Sequence, residues 1–243
     1  MTRFIDAHCH CHEMPMETFK RIANNNQFTI VCVSDDIPSS MKTVELSSSH
    51  SNIVPCIGVH PWSVNETSIN DLKKLEELIK KYDVKCLGEI GLDTKFVPQT
   101  IEKQRVFFDY FIRLAREYDL VLNIHAAGTW SEVLDKLIAN DIKHAYIHWY
   151  TGPKELIDKI LELGYAIGAN PAWKIQKKHR AIIEYAPIEI ILTESDAPYK
   201  YRGLEMTPEL VIETVEYLSH VKNISITEVA NIIEKNFRRI FLF

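Results

Sequence analysis

Glycine is scarce, 8 residues in a chain of 243, and no glycine–serine linker, low-complexity tract or internal repeat divides the sequence. One domain spanning residues 1–243 is therefore expected, since a chain of this length closes a single large core. Cysteine is sparse as well, and Cys9, Cys11, Cys32, Cys56 and Cys86 make an odd number. Most of them lie in apolar, strand-like runs and read as reduced core thiols of a cytosolic protein. The alternative for Cys9 and Cys11 is a compact zinc cluster with His8, His10 and His12. Strand alternation opposes it, and a second close cysteine pair to complete such a site is lacking. Long apolar runs are missing, and so is a basic segment followed by an apolar one at the start. A membrane span or export signal is not expected, and the expected location is the cytoplasm. An excess of positive charge is absent too, with a formal net charge of -5 and a pI near 6.1. That excludes the broadly basic surface of a protein that coats duplex DNA, so an anionic substrate must be held locally.

What the sequence does have begins at Phe4-Ile5-Asp6-Ala7-His8-Cys9-His10. This reads as a short buried strand, and alternation points Asp6, His8 and His10 one way and Ala7 and Cys9 the other. Two imidazoles two residues apart on a rigid strand begin a metal site, because imidazole suits zinc, iron, nickel and related ions. Taken alone, the same stretch also fits a strand with ordinary hydrogen-bonded histidines.

Downstream, β-branched apolar runs alternate with amphipathic ones. Strands are expected at Phe28–Val33, Ile53–Val59, Val84–Gly88, Leu120–Ile124, His144–Ile147, Tyr165–Ala169 and Ile188–Thr193. Helices fall between them at Pro15–Asn26, Ser39–Ser49, Leu72–Tyr82, Gln104–Tyr118, Trp130–Ala139, Pro153–Leu163 and Lys174–Tyr185. Two more, Pro208–His220 and Ile226–Phe237, close the chain. Eight strand–helix units predict an α/β fold, a (β/α)8 TIM barrel with extra C-terminal helices. Catalytic groups of such barrels sit at the C-terminal strand ends. Here those ends carry His8 and His10, Ser34, His60, Glu89, His125, His148, Asn170 and Asp196. An open doubly wound sheet would hold His8 and Asp196 too far apart to share an ion.

Four histidines, one glutamate and one aspartate from strands one, four, five, six and eight suffice for two ions sharing a ligand, and Glu89 is the best-placed bridge. Two-metal hydrolases hold ions about 3.5–4 Å apart and clamp the attacking and leaving oxygens of an in-line displacement. Two carboxylates facing two dications leave a positive centre that suits a phosphate. Zinc, manganese, nickel and iron fit such a mixed set, and magnesium is a less natural choice for four imidazoles.

The stretches Asp6-Ala7-His8-Cys9-His10, Gly58-Val59-His60-Pro61-Trp62, Gly88-Glu89-Ile90-Gly91-Leu92-Asp93, Gln104-Arg105-Val106-Phe107, Ile124-His125, His148-Trp149-Tyr150-Thr151-Gly152 and Glu194-Ser195-Asp196-Ala197-Pro198 stand in this order. Together they resemble the TatD family of metal-dependent deoxyribonucleases, part of the amidohydrolase superfamily. The likeness runs through nearly the whole chain, to Asn236-Phe237. It implies His8 and His10 on one divalent ion, Glu89 bridging, His125 and His148 on the second, and Asp196 as a ligand that also orients or deprotonates the attacking water. It implies His60 at the rim near the substrate phosphate. Glu194 has two readings, a group behind the ligands or a structural ion pair.

The sequence also departs from the family. Ala126-Ala127-Gly128 follows His125 where a basic residue often stands. Tyr201-Arg202-Gly203 resembles the basic loop after strand eight, but Leu204-Glu205-Met206-Thr207 replaces its polar continuation. The basic run Lys174 to Arg180 either receives phosphates or is a solvated helix face. Trp62, Trp130, Trp149, Trp173, Tyr150 and Tyr199 fall just past strand ends, where rings stack on single-stranded bases. Arg202, Trp149, Tyr150 and His60 are the candidate substrate contacts. His12, His50, His144, His179 and His220 match no strand end and read as ordinary residues.

The expected activity is a two-metal phosphodiesterase removing nucleotides from single-stranded DNA, 3′ to 5′, by a metal-activated water, with Asp196, Glu89 and His60 as the catalytic set. The substrate is then DNA or another phosphodiester, with no membrane and no obligatory protein partner. An ester, amide or lactone hydrolase, including one for aminoacyl esters on tRNA, is the alternative, because barrels vary substrate through their loops. A metal-loaded scaffold that binds a partner is the contrasting non-enzymatic reading, which the full ligand set opposes.

Overall fold

The computed structural model describes residues 2–241, so residues 1, 242 and 243 of the expected domain lie outside the described residues. Eight strands form one sheet in chain order: β1 (Phe4–Cys9), β2 (Phe28–Cys32), β3 (Ile53–Ile57), β4 (Cys86–Gly91), β5 (Val121–His125), β6 (Ala145–Ile147), β7 (Ala166–Ala169) and β8 (Ile191–Thr193). Each neighbouring pair is parallel. The last strand returns to the first: Thr193 Oγ1 donates to the Ile5 carbonyl at 2.6 Å and the Asp196 N–H to the His8 carbonyl at 2.9 Å. The expected barrel is thereby formed, and β1 and β8 bring His8 and Asp196 side by side.

Between strands lie α1 (Met16–Ala23), α2 (Ile37–Ser47), α3 (Leu72–Tyr82), α4 (Ile101–Tyr118), α5 (Trp130–Ala139), α6 (Ile157–Glu162) and α7 (Lys177–Tyr185). After a small hairpin of β9 (Lys200–Tyr201) and β10 (Leu204–Glu205), α8 (Leu210–Lys222) and α9 (Ile226–Phe241) complete the chain. Strands covered on both sides are largely apolar, and every residue of β4 is buried, with Glu89 its one charged member. Amphipathic helices supply the outer layer; α4 buries Phe107, Phe108, Phe111, Leu114 and Ala115 against the sheet. Helix α2 starts where Asp36 accepts from the Ser39 N–H at 2.8 Å while Ser39 Oγ accepts from the Asp36 N–H at 2.9 Å, a reciprocal cap.

Of the boundaries that differ from expectation, three lie at a proline. Ile188–Ile190 forms a 3-10 turn after Pro187 instead of opening the eighth strand. Asn236 of α9 donates Nδ2 to the Ile188 and Ile191 carbonyls at 2.8 and 2.9 Å, satisfying acceptors that pairing would have used. Lys154–Leu156 and Pro171–Lys174 are likewise 3-10 turns preceding α6 and α7.

The cysteine expectation is corrected. Cys11 is bonded to Cys32 and Cys56 to Cys86, and only Cys9 among the five is a free, buried thiol. The parallel register sets Cys56 opposite Cys86, with Cα atoms 4.5 Å apart, and Cys11 lies 5.4 Å from Cys32 by the same measure. Both spans are within disulfide reach; strand pairing creates the first, and the turn after β1 carries Cys11 to Cys32, proximities that sequence spacing conceals.

Candidate active site

Glu89 stands at the centre of the strand ends. Its Oε2 lies 3.2 Å from His8 Nε2 and 3.4 Å from His10 Nε2. Its Oε1 lies 2.7 Å from His125 Nδ1, 2.9 Å from His148 Nε2 and 3.2 Å from His60 Nε2. Asp196 adds Oδ1 at 3.6 Å from His8 and 3.5 Å from His10. One carboxylate thus faces two groups of imidazoles, one per oxygen. His8, His10 and Asp196 bring ligand atoms within 4.8 Å of one another, and His60, Glu89 and His125 do the same. The strand ends that build this cluster approach closely: a Cβ at Gly91, where φ is +141°, would lie 2.0 Å from the His125 carbonyl oxygen, so only glycine fits there.

The outer nitrogen of each ring decides what its inner nitrogen can do. His8 Nδ1 lies 2.8 Å from Asn123 Oδ1, so it donates and leaves an Nε2 lone pair facing Glu89. His125 Nε2 lies 3.1 Å from Asp93 Oδ2, freeing Nδ1. Asp35 stands 3.3 Å from His10 Nδ1, and Glu194 stands 3.9 Å from His148 Nδ1. His60 is the exception. Its Nδ1 accepts from the Trp62 backbone N–H at 3.2 Å, which leaves the proton of the neutral ring on Nε2.

Burial opposes charge on Glu89, yet His60, His148 and His8 around it hold its carboxyl well below the usual range. Burial also disfavours imidazolium at His8 and His10, and the carboxylates outweigh it, so both rings are raised, by Glu89 and by Asp35 respectively. His148 goes the other way, down to about 4, through burial and through the charge of His8, on which its ring stacks at 4.0 Å. His8 Nε2 is buried and makes no hydrogen bond at all. A buried ring nitrogen without a hydrogen, aimed at a carboxylate, is costly unless a cation lies between them. The donor set is imidazole and carboxylate, which suits borderline divalent ions, so the residues fit a metal.

Several groups in contact with the cluster carried no role in the sequence. Asp93 is one, its carboxyl kept at about 2 because the hydrogen bonds from His125 and Trp62 outweigh burial. Asp35 and His12 are others. His12 Nε2 lies 3.0 Å from Asp35 Oδ2, so His12 is not the ordinary residue expected of it. Glu194 is fully buried, pushed up to about 7 by burial. It accepts from the Tyr146 hydroxyl, from the Trp149 N–H at 2.8 Å and from Asn170 Nδ2 at 3.0 Å. These donors hold it behind His148, whose Nδ1 is 3.9 Å away.

The cluster opens into a cavity of about 580 Å³ whose walls include Lys95, Phe96, Trp149, Tyr199 and Arg202. One expected substrate contact is corrected, and a second stands deeper than expected. Tyr150 is wholly buried and donates its hydroxyl to the Pro153 carbonyl at 2.7 Å, so it packs the wall behind the cavity. His60 stands within the cluster and is 8% exposed, not at the outer rim. Of the basic run, only Gln176 borders the cavity; Lys174 pairs with Glu213, and Arg180 donates to the Trp173 and Lys174 carbonyls. No helix among the described residues is long and apolar enough to cross a membrane.

An eight-stranded parallel barrel with imidazoles and carboxylates gathered at one end defines a metal-dependent hydrolase. The family model described as TatD related DNase matches residues 5–242, and the chain belongs to that family. It is 27% identical over 254 residues to the metal-dependent hydrolase YcfH of Escherichia coli strain K12, covering 98% of this chain and 95% of that one. With the metal-dependent hydrolase MJ1582 of Methanocaldococcus jannaschii it shares 28% over 248 residues, covering 98% and 97%. The crystal structure of the TatD homologue YjjV from Escherichia coli superposes with a TM-score of 0.88 at 24% identity, covering 100% of this chain and 99% of that one, and the fold is the same.

Proposed function

We propose that His8, His10, Glu89, His125, His148 and Asp196 hold two divalent cations with Glu89 between them, and that the enzyme removes nucleotides from single-stranded DNA ends, 3′ to 5′. The observation that carries this reading is the division of Glu89: Oε2 faces His8 and His10 while Oε1 faces His125 and His148. The ions are zinc, manganese, nickel, iron or magnesium. When bound, they supply the positive charge that draws a phosphodiester in and makes a water acidic enough to attack.

The chain's own residues do the rest. The outer contacts of His8 and His125 fix each tautomer with the lone pair inward, as a ligand requires. His60 has the opposite tautomer, so its Nε2–H donates to a non-bridging phosphate oxygen. That supports a substrate role for His60, although it stands among the ligands with Nε2 3.2 Å from Glu89 Oε1. Asp196 takes the proton of the attacking water on its carboxylate. Displacement is in line, and no covalent enzyme intermediate is needed. Arg202 and Trp149, both on the cavity wall, meet the flanking sugar-phosphate and base. Membership of a DNase family supports a nucleic-acid substrate.

The test is hydrolysis of a 3′-labelled single-stranded oligonucleotide by metal-stripped protein, with manganese, zinc, magnesium or nickel added back and His125→Ala as control. A metal-dependent ladder that the control lacks is the expected result, and its pattern reveals the direction of digestion. An intact oligonucleotide beside turnover of carboxylic esters or amides would replace the nuclease reading with the ester one.

A further inference from the structure

Trp62 and Phe96 are large aromatic residues left 49% and 58% exposed, at the mouth of the cavity that holds the cluster. Their rings meet edge to face, 5.9 Å between centroids and 67° between planes, so neither covers the other and flat surface remains for a third ring. Both are held in place. The Trp62 indole Nε1 donates to Asp93 Oδ2 at 2.7 Å, and the Phe96 and Lys95 N–H groups each donate to Asp93 Oδ1 at 2.8 Å. The Trp62 ring also stands 5.3 Å from His60, edge to face. A cation is beside them, Lys95 Nζ 5.2 Å from the Phe96 centroid.

The other rings just past strand ends contrast with this pair. Trp173 stacks on Tyr217 at 3.9 Å and 7°, Tyr150 is buried, and Trp149 meets Tyr201 at 5.0 Å and Tyr199 at 6.1 Å. Trp173 and Tyr150 are thereby taken up, while Trp149 and Tyr199 line another part of the cavity. Trp62 and Phe96 have their polar needs met from behind and, beside the edge contact of His60 and the Lys95 ammonium, keep about half of their surface open.

Resting on the nuclease reading, we propose that Trp62 and Phe96 form a nucleobase subsite. It stacks the base of a nucleotide flanking the phosphate at the cluster, with Lys95 receiving the next phosphate of the strand. Aromatic platforms beside a cation are what sequence-tolerant binding of single strands requires, because every base has a flat face. Bases within a duplex are stacked on both faces, so the subsite favours unpaired substrate.

The experiment compares metal-loaded, full-length protein binding to two phosphorothioate-linked strands of equal length by fluorescence anisotropy. One is oligothymidine and the other an abasic tetrahydrofuran strand. Wild type is expected to favour the base-bearing strand, and Phe96→Ala to lower that preference about tenfold. Phe96→Trp, which restores a platform, should keep it. Equal affinity of wild type for both strands, or a preference that Phe96→Ala leaves intact, would overturn the subsite. Strand cleavage is read separately with phosphodiester substrate. Base preference without cleavage removes the nuclease reading and keeps the subsite; cleavage without base preference does the reverse.

Discussion

Asp93 Oδ2 lies 3.1 Å from His125 Nε2 and 2.7 Å from the Trp62 indole nitrogen, so one oxygen ties the imidazole cluster to the aromatic mouth. All four groups that reach this carboxylate are donors, since Oδ1 takes the Lys95 and Phe96 N–H groups. Asparagine has one acceptor end only. Asp93→Asn must turn its amide N–H2 toward one donor pair; the Lys95 and Phe96 N–H groups are fixed backbone, so the amide oxygen stays with them and His125 loses its acceptor and its fixed tautomer. Metal affinity is expected to fall about 10–100-fold, measured by competition with a chelator on protein whose circular dichroism is unchanged. Unaltered affinity would mean that another group sets the His125 ring.

Glu89→Gln removes the charge that both imidazole groups share. Loss of several kcal/mol of transition-state stabilisation lowers oligonucleotide hydrolysis at least about a thousandfold. Single-turnover rates at saturating metal check it, and retention of a tenth of the wild-type rate would rule out a bridging role.

Gly168→Ala tests how firmly Glu194 is held. The added Cβ would lie 2.4–2.6 Å from the Glu194 carboxyl atoms. That carboxyl is pinned by Tyr146, the Trp149 N–H and Asn170, so it has nowhere to go. Overpacking of this kind costs about 1–3 kcal/mol, visible as a lower thermal midpoint. A midpoint that does not move would show that Glu194 yields.

His179 gives the pH dependence. It is fully buried, accepts from the Asn170 N–H through Nε2 at 3.1 Å, and has Nδ1 3.1 Å from the Tyr150 carbonyl, an arrangement that needs the neutral ring. Burial lowers it to about 4. The unfolded chain binds this proton more strongly, so the contribution is fully present above about pH 6.5 and is lost as pH falls toward about 4, amounting to about 3 kcal/mol. Urea unfolding at pH 7, 5.5 and 4.5 should show a steeper loss for wild type than for His179→Gln. Parallel curves would place the acid sensitivity elsewhere.

The barrel was legible because its strands announce themselves as apolar runs and its ligands end them; His8, Glu89, His125, His148 and Asp196 all converge as strand-end placement requires. Contacts that depend on pairing across the sheet were not legible. Cys56 and Cys86 are thirty positions apart in the chain and adjacent in the register. Tyr150 and Trp149 are neighbours in sequence, yet one fills the wall and the other lines the cavity, because a positive φ of 40° at Trp149 turns the chain there. Phe96 sits in a loop with no periodicity to mark it, and only the Asp93 turn reveals why it faces outward.

The join between β1 and β8 has a consequence for synthesis. The β1 imidazoles meet the Asp196 carboxylate only when the eighth strand closes on the first. A chain still emerging from the ribosome therefore carries an incomplete centre, and the nucleic acids around it encounter the finished catalyst only after the barrel has shut.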